Sequence, residues 1–183
     1  MLGHEDGLDH IDLSADGFWS SFVGLALMGL IDCLVLTVSF PMSQQAEEQA
    51  GPSTAAYVFL SLMIILISYL ASLVALFVLC RFEPAQSRFP NVVICMNWAA
   101  PVVSVVFGVP AFVLLVLNAA SGGQGNFVLA LLSVVLFVAM LIAMFRLIRI
   151  SLNVTPGQAV GLFLGSTVVS LVLQEWLSML FGI

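Results

Sequence analysis

Hydrophobic and polar positions separate along this chain into long blocks instead of alternating. Apolar residues run almost unbroken through 18–40, 55–80, 89–120, 127–147 and 157–181, with short polar stretches between them. A helix lying on a water-soluble core shows a polar face every three or four positions, and these blocks do not. Each reaches the roughly 20 apolar residues that a helix needs to cross the hydrocarbon of a bilayer. The pattern predicts an all-α polytopic membrane bundle of about five transmembrane helices. An acidic tail, 1–16, precedes a single bundle domain over 17–183.

Local signals set the ends of the blocks. Ser14 is placed to cap a first helix with Asp16 in its opening turn, where a negative charge suits the dipole. Trp19 follows as an interfacial anchor. Pro41 is expected to stop this span, and a polar loop over 42–54 carries Glu47 and Glu48. The second span closes at Arg81, and 81–88 reads as a short polar loop. The third block contains Pro101 and Pro110. Each proline removes the donor for the carbonyl four residues earlier, so Asn97 and Val106 lose their helical partners. A kink or split is expected there, with a short interfacial piece after Pro110. SGGQG at 121–125 reads as a turn. Arg146 and Arg149 end the fourth span, and Thr155 followed by Pro156 forms a cap and first position for the fifth.

Composition agrees. Hydrophobic residues make up 62% of the 183 and charged residues 8%, against about 25% charged in soluble domains; mean hydropathy is +1.19. The net charge of −6 comes mostly from the tail, through Glu5, Asp6, Asp9, Asp12 and Asp16. Four basic residues are too few for a footprint on phosphates, so no nucleic-acid partner is expected; the bilayer is the partner that composition demands. No Lys or Arg precedes the first span, which excludes a signal-peptide n-region and predicts an uncleaved anchor. Arg81, Arg88, Arg146 and Arg149 fall in the second and fourth connections, which share one side when spans alternate. The positive-inside rule makes that side cytoplasmic, with the N-terminus inside and the C-terminus outside.

Ionisable groups within the hydrocarbon are costly and call for a reason. Asp32 lies about 21 Å along the first helix from Phe18, at or beyond mid-membrane. Glu175 lies deep in the last span. With no arginine in that half, both acids are expected to be neutral or bonded to Asn97, Asn118, Gln174 or serine hydroxyls. The functional reading is a proton or cation path at Asp32; the plainer one is buried polar glue. Gly157, Gly161 and Gly165 repeat at four-residue spacing, as in small-xxx-small helix contacts. Glu175 lies about 40° from that stripe and is expected to face packed protein. Cys33, Cys80 and Cys95 have no metal or redox spacing and read as packing residues.

Several constellations are missing. Both histidines, His4 and His10, lie in the tail, so no span offers imidazole to a haem. There is no HExxH motif, no intramembrane Ser–His pair and no glycine-rich phosphate loop. No enzyme, cofactor or metal site is expected. The tail reads as solvated, a metal-sensing role resting on His4 and His10 alone. Asn153-Val154-Thr155 matches a glycosylation sequon but falls on the predicted cytoplasmic side, beside a helix cap.

Three segments carry a resemblance: DLSADGFWSSF at 12–22, RFPNVVICMNWAAPV at 88–102 and RISLNVTPGQAVGLFL at 149–164. They resemble small uncharacterised membrane proteins of alphaproteobacterial type, related to the Yip (Ypt-interacting protein) domain family. There an acidic start leads into GFW, a later span carries an Asn–Trp pair after an Arg/Tyr-Pro beginning, and the last helix follows a short "aLGV" type turn. The resemblance implies a five-span Yip-type bundle in the bacterial inner membrane, so a periplasmic C-terminus, with no established enzyme activity. Eukaryotic Yip proteins act in membrane traffic through protein partners. Asp32 and Glu175 match no motif of the family. The expected role is therefore non-enzymatic lateral association, as an accessory or scaffold subunit bound to another membrane protein or to a second copy. The alternative is a small transporter or channel subunit with Asp32 in the path and the span around Asn97 and Pro101 lining it.

Overall fold

A computed structural model describes residues 11–44, 53–81, 84–120 and 127–182. The tail histidines, Glu47, Glu48 and the 121–125 turn lie outside the described residues, as does the side chain of Asn118. Six α-helices follow one another: α1 (Ala15–Gln44), α2 (Thr54–Cys80), α3 (Phe89–Val103), α4 (Val109–Ala120), α5 (Phe127–Leu152) and α6 (Pro156–Phe181). A 3-10 turn, Pro84–Arg88, leads into α3, and a π-helical turn, Ser104–Gly108, joins α3 to α4. Five stretches are long and apolar enough to cross a membrane: Ala15–Val38, Thr54–Cys80, Gln86–Leu114, Phe127–Leu152 and Pro156–Phe181. The predicted count and class hold.

The caps follow the local chemistry. The Ser14 hydroxyl accepts from the Gly17 N–H at 3.2 Å, and Asp16 stands in the first turn of α1. The Asp12 carboxylate accepts from the Ser14 N–H at 2.9 Å, and hydrogen bonds from Ser14 hold its pKa below the usual carboxylate value. Ser53 caps α2 through its bond from the Ala56 N–H. Thr155 and Gln158 form a reciprocal capping box on α6 with Pro156 at its start, satisfying two donors that a bare helix end leaves open. Asn153, at φ 53°, turns the chain out of α5. Asparagine tolerates this left-handed conformation because its short polar side chain bonds locally.

Three boundaries depart from expectation. Pro41 does not stop α1, which continues to Gln44; a proline's fixed φ is itself helical, and a membrane helix accommodates the lost hydrogen bond. Arg146 and Arg149 do not end α5, which runs on to Leu152. The 81–88 connection is not simply a loop, since its last five residues wind into the 3-10 turn. The irregularity expected at Pro101 and Pro110 lies between them as a π turn, since α3 continues through Pro101 to Val103 before that turn begins. There the Val109 N–H reaches back to the Ser104 carbonyl, the five-residue spacing of a π turn.

A buried cluster joins Leu76 and Cys80 of α2, Val92 of α3, Ile148 and Leu152 of α5 and Leu162 of α6, with Phe89 and Val154 packed against it. It draws the connections α2–α3 and α5–α6 to one end of the bundle. All four arginines are exposed there. Elsewhere the helices carry many large exposed apolar side chains, such as Leu34, Phe59, Phe127, Leu171 and Met179. That is the surface a hydrocarbon solvent covers and water does not.

Candidate functional site

The most constrained polar feature is built on three helices. Asn97 of α3 is 0% exposed, its side chain set among Val93, Ile94 and Ala100 on the buried face of that helix. The Tyr69 hydroxyl of α2 donates to Asn97 Oδ1 at 2.6 Å. Asn97 Nδ2 donates to Ser21 Oγ of α1 at 2.9 Å, and the Ser21 hydroxyl donates to the Phe18 carbonyl at 2.7 Å. Ser21 has one proton, already directed at Phe18, so it accepts from Asn97 and the amide orientation follows. The donors point one way along the chain of bonds and end on backbone.

Backbone geometry reinforces the clasp. A Cβ built at Gly24 would overlap the Asn97 carbonyl oxygen and come within 3.3 Å of the Trp98 Cα. Only glycine lets α1 and α3 approach this closely. That carbonyl is the one Pro101 deprives of its donor at i+4, and it lies directly against α1. A glycine Cα–H facing a carbonyl offers a weak hydrogen bond of the kind recurrent at helix interfaces. Asn97 thus joins α1 to α3 by its side chain and its backbone together. Ser21 is about 9 Å from the start of α1 and Asn97 about 12 Å from the start of α3, so the clasp sits nearer the arginine end than the far end. Ser68, beside Tyr69, is buried, and its Oγ is the one buried side-chain polar atom among the described residues with no hydrogen bond.

Asp32 is not part of this network: of the partners open to it, the Asn97 amide is engaged by Tyr69 and Ser21. Asp32 is half-buried. Eleven residues separate it from Ser21, an offset of about 20° and three turns, so it shares that packed face of α1. Eleven residues beyond Asn97 is Gly108, the last residue of the π turn, and α1 touches that turn. Asp32 therefore stands level with the most irregular backbone in the bundle.

Glu175 requires a correction: it is exposed. The buried positions of α6 are Ala159, Leu162, Ser166 and Leu177, and Glu175 lies about 140° around the helix from Leu162. Gln174 is exposed too. The relation to the glycine stripe holds, but the stripe itself turns outward. Cβ atoms added at Gly157 and Gly161 would meet nothing within 4 Å, whereas one at Gly165 would come within 2.7 Å of Leu79 Cδ1 on α2. Each four-residue step rotates by about 40°, and only the third glycine reaches the packed side.

The cysteines behave as packing residues. Cys80 and Cys95 are buried, Cys33 is half-buried, and none of the three is in a disulfide. No group of three or more His, Cys, Asp or Glu gathers among the described residues.

Ser21, Gly24 and Tyr69 were missed in the sequence. The spacing of Gly17 and Ser21, small residues four apart and followed by Gly24, is the signal that marks α1 as a close-packing helix. Nothing in sequence pairs Tyr69 with Asn97.

The fold and this clasp define a polytopic α-helical membrane protein whose first three spans are joined by uncharged hydrogen bonds. No family model, curated protein or solved structure matches the chain.

Proposed function

We propose that this protein is a non-enzymatic accessory or scaffold subunit that works by lateral association in the membrane. The observation that carries the reading is the outward face of α6. Gly157 and Gly161 have open space where a Cβ would stand, and Glu175 and Gln174 are exposed on the same helix. Small residues there let a second helix approach backbone to backbone, and polar side chains within the bilayer gain from partners. The resemblance to Yip-domain proteins points the same way, since the eukaryotic members act through protein partners. The four arginines favour a cytoplasmic N-terminus with the C-terminus on the far side, and the resemblance makes the membrane a bacterial inner membrane and that side periplasmic.

Because a Cβ at either position meets no described residue within 4 Å, the double substitution G157L/G161L separates association from folding. The expected result is an unchanged thermal unfolding profile together with loss of whatever co-purifies with the tagged chain in mild detergent. Retention of every native-membrane association in that variant refutes the reading.

A second reading, a small transporter or channel subunit, draws on Asp32 standing level with the π turn. Irregular helices beside polar groups mark ion and solute sites in transporters. A flux in reconstituted vesicles that falls in Asp32→Asn supports it, and a flux unchanged by that substitution removes the acid from any path.

A further inference from the structure

We propose that the arginine end of the bundle binds anionic phospholipid headgroups, preferring a phosphodiester with net negative charge over a zwitterionic head. The chain has four basic residues in all, and the fold assembles every one of them at this end. Cys80, next to Arg81, and Ile148, next to Arg149, belong to one buried cluster; Phe89, next to Arg88, packs against it. The 3-10 turn that ends in Arg88 rests on α2 and α5 together. Arg146 and Arg149 are three residues apart near the end of α5, a spacing that puts them on neighbouring positions of one helix face. Two connections far apart in sequence thus bring all four arginines to one end of the bundle.

Its depth suits a headgroup. Arg81 directly follows the span Thr54–Cys80, Arg88 stands at the start of Gln86–Leu114, and the other two lie in the last turns of Phe127–Leu152. All four side chains are exposed, and at a span end an arginine extends its guanidinium toward the interface while its stem stays in the apolar layer. The Arg81 Cζ lies 6.0 Å from the Phe77 ring centroid, a cation–π contact that holds this group beside the apolar surface. A planar guanidinium matches two phosphate oxygens at once, which an ammonium does not. Asp16 stands in the first turn of α1, which packs on α2 and α3. Glu83, within the first connection, lies outside the described residues.

The test uses the full chain, purified in a non-ionic detergent and titrated with phosphatidylglycerol, phosphatidylcholine or inorganic phosphate. Bound lipid is counted by native mass spectrometry, and unfolding temperature is followed in parallel. Phosphatidylglycerol is expected to bind at least tenfold more tightly than phosphatidylcholine and to raise the unfolding temperature, with no shift from inorganic phosphate at equal phosphorus. Each arginine near an anionic surface contributes roughly a fivefold factor, so R81Q/R88Q and R146Q/R149Q are each expected to lose about 25-fold in affinity for phosphatidylglycerol. Equal binding of the two lipids by the unaltered chain overturns the proposal whether or not any variant folds. Full retention of the preference in both double variants overturns it as well. A shift reproduced by inorganic phosphate would assign the site to a soluble anion and overturn the lipid assignment.

Discussion

Replacing Asn97 by alanine tests the clasp at its centre. The substitution removes the bond from the Tyr69 hydroxyl at 2.6 Å and the bond to Ser21 Oγ at 2.9 Å, from a side chain that is 0% exposed. Hydrogen bonds between membrane helices average about 0.6 kcal/mol and reach about 1.7 kcal/mol in double-mutant cycles. Two such bonds give an expected loss of about 1–3 kcal/mol, to which the void left by the amide adds. Tyr69→Phe removes one bond alone, so its expected loss is about 0.6–1.7 kcal/mol. The diagnostic quantity is the coupling. If Tyr69 stabilises the fold through Asn97, the double variant is less destabilised than the sum of the singles, by about the energy of one bond. Reversible unfolding in mixed micelles provides the measurement, followed by helical circular dichroism and by tryptophan fluorescence. Trp98 adjoins Asn97 and Trp19 lies near Ser21, so two intrinsic reporters flank the clasp. Distant, independent sites add to within about 0.3–0.5 kcal/mol. Additivity of Asn97→Ala and Tyr69→Phe within that margin would show that the bond contributes nothing and refute the reasoning.

Gly24→Ala places a methyl group on the Asn97 carbonyl and is expected to destabilise by about 1–3 kcal/mol through overpacking; Gly29→Ala, in open space on the same helix, serves as the near-neutral control in the same unfolding assay. Thr155→Val removes the capping-box hydroxyl of α6, with an expected cost of about 1 kcal/mol and faster amide exchange confined to the first turn, starting at Gln158. Asp12 is lowered in pKa by its hydrogen bonds from Ser14, so its support of the α1 start is complete above the unfolded carboxylate value of about 3.9 and is lost as pH falls through the folded value. Protection of the Ser14 amide, corrected for intrinsic exchange, is expected to fall over that acidic window and to be pH-independent in Asp12→Asn.

The number of spans was legible without any tertiary information. A run of about 20 apolar residues has one low-energy state in hydrocarbon, a helix that satisfies its own backbone. The caps at Ser14 and Thr155 were equally legible, because a cap is a contact between residues three apart. Proline punctuation was only partly so. Pro101 and Pro110 do bracket an irregular stretch, but Pro41 lies within α1, because a proline removes one hydrogen bond and whether the helix tolerates that loss depends on its surroundings.

Facing was decided by the fold. Periodicity placed Glu175 close to the glycine stripe correctly, yet it held no information on which side of α6 would be covered. In a lipid-solvated bundle nearly every face is apolar, so the contrast that orients a water-soluble helix is absent. The packing of Leu162, Ser166 and Leu177 against neighbouring helices settled it and left Gly157, Gly161 and Glu175 outside. The clasp shows the same division. Asn97 stood out in sequence as a polar residue in hydrocarbon, which must be bonded to something. That its partners are Tyr69 and Ser21, with Gly24 admitting its carbonyl, follows only from bringing together residues 28 and 76 positions distant. Sequence determined which groups need partners, through the cost of an unpaired polar atom away from water; tertiary structure decided which partners they have, because that depends on how the helices meet.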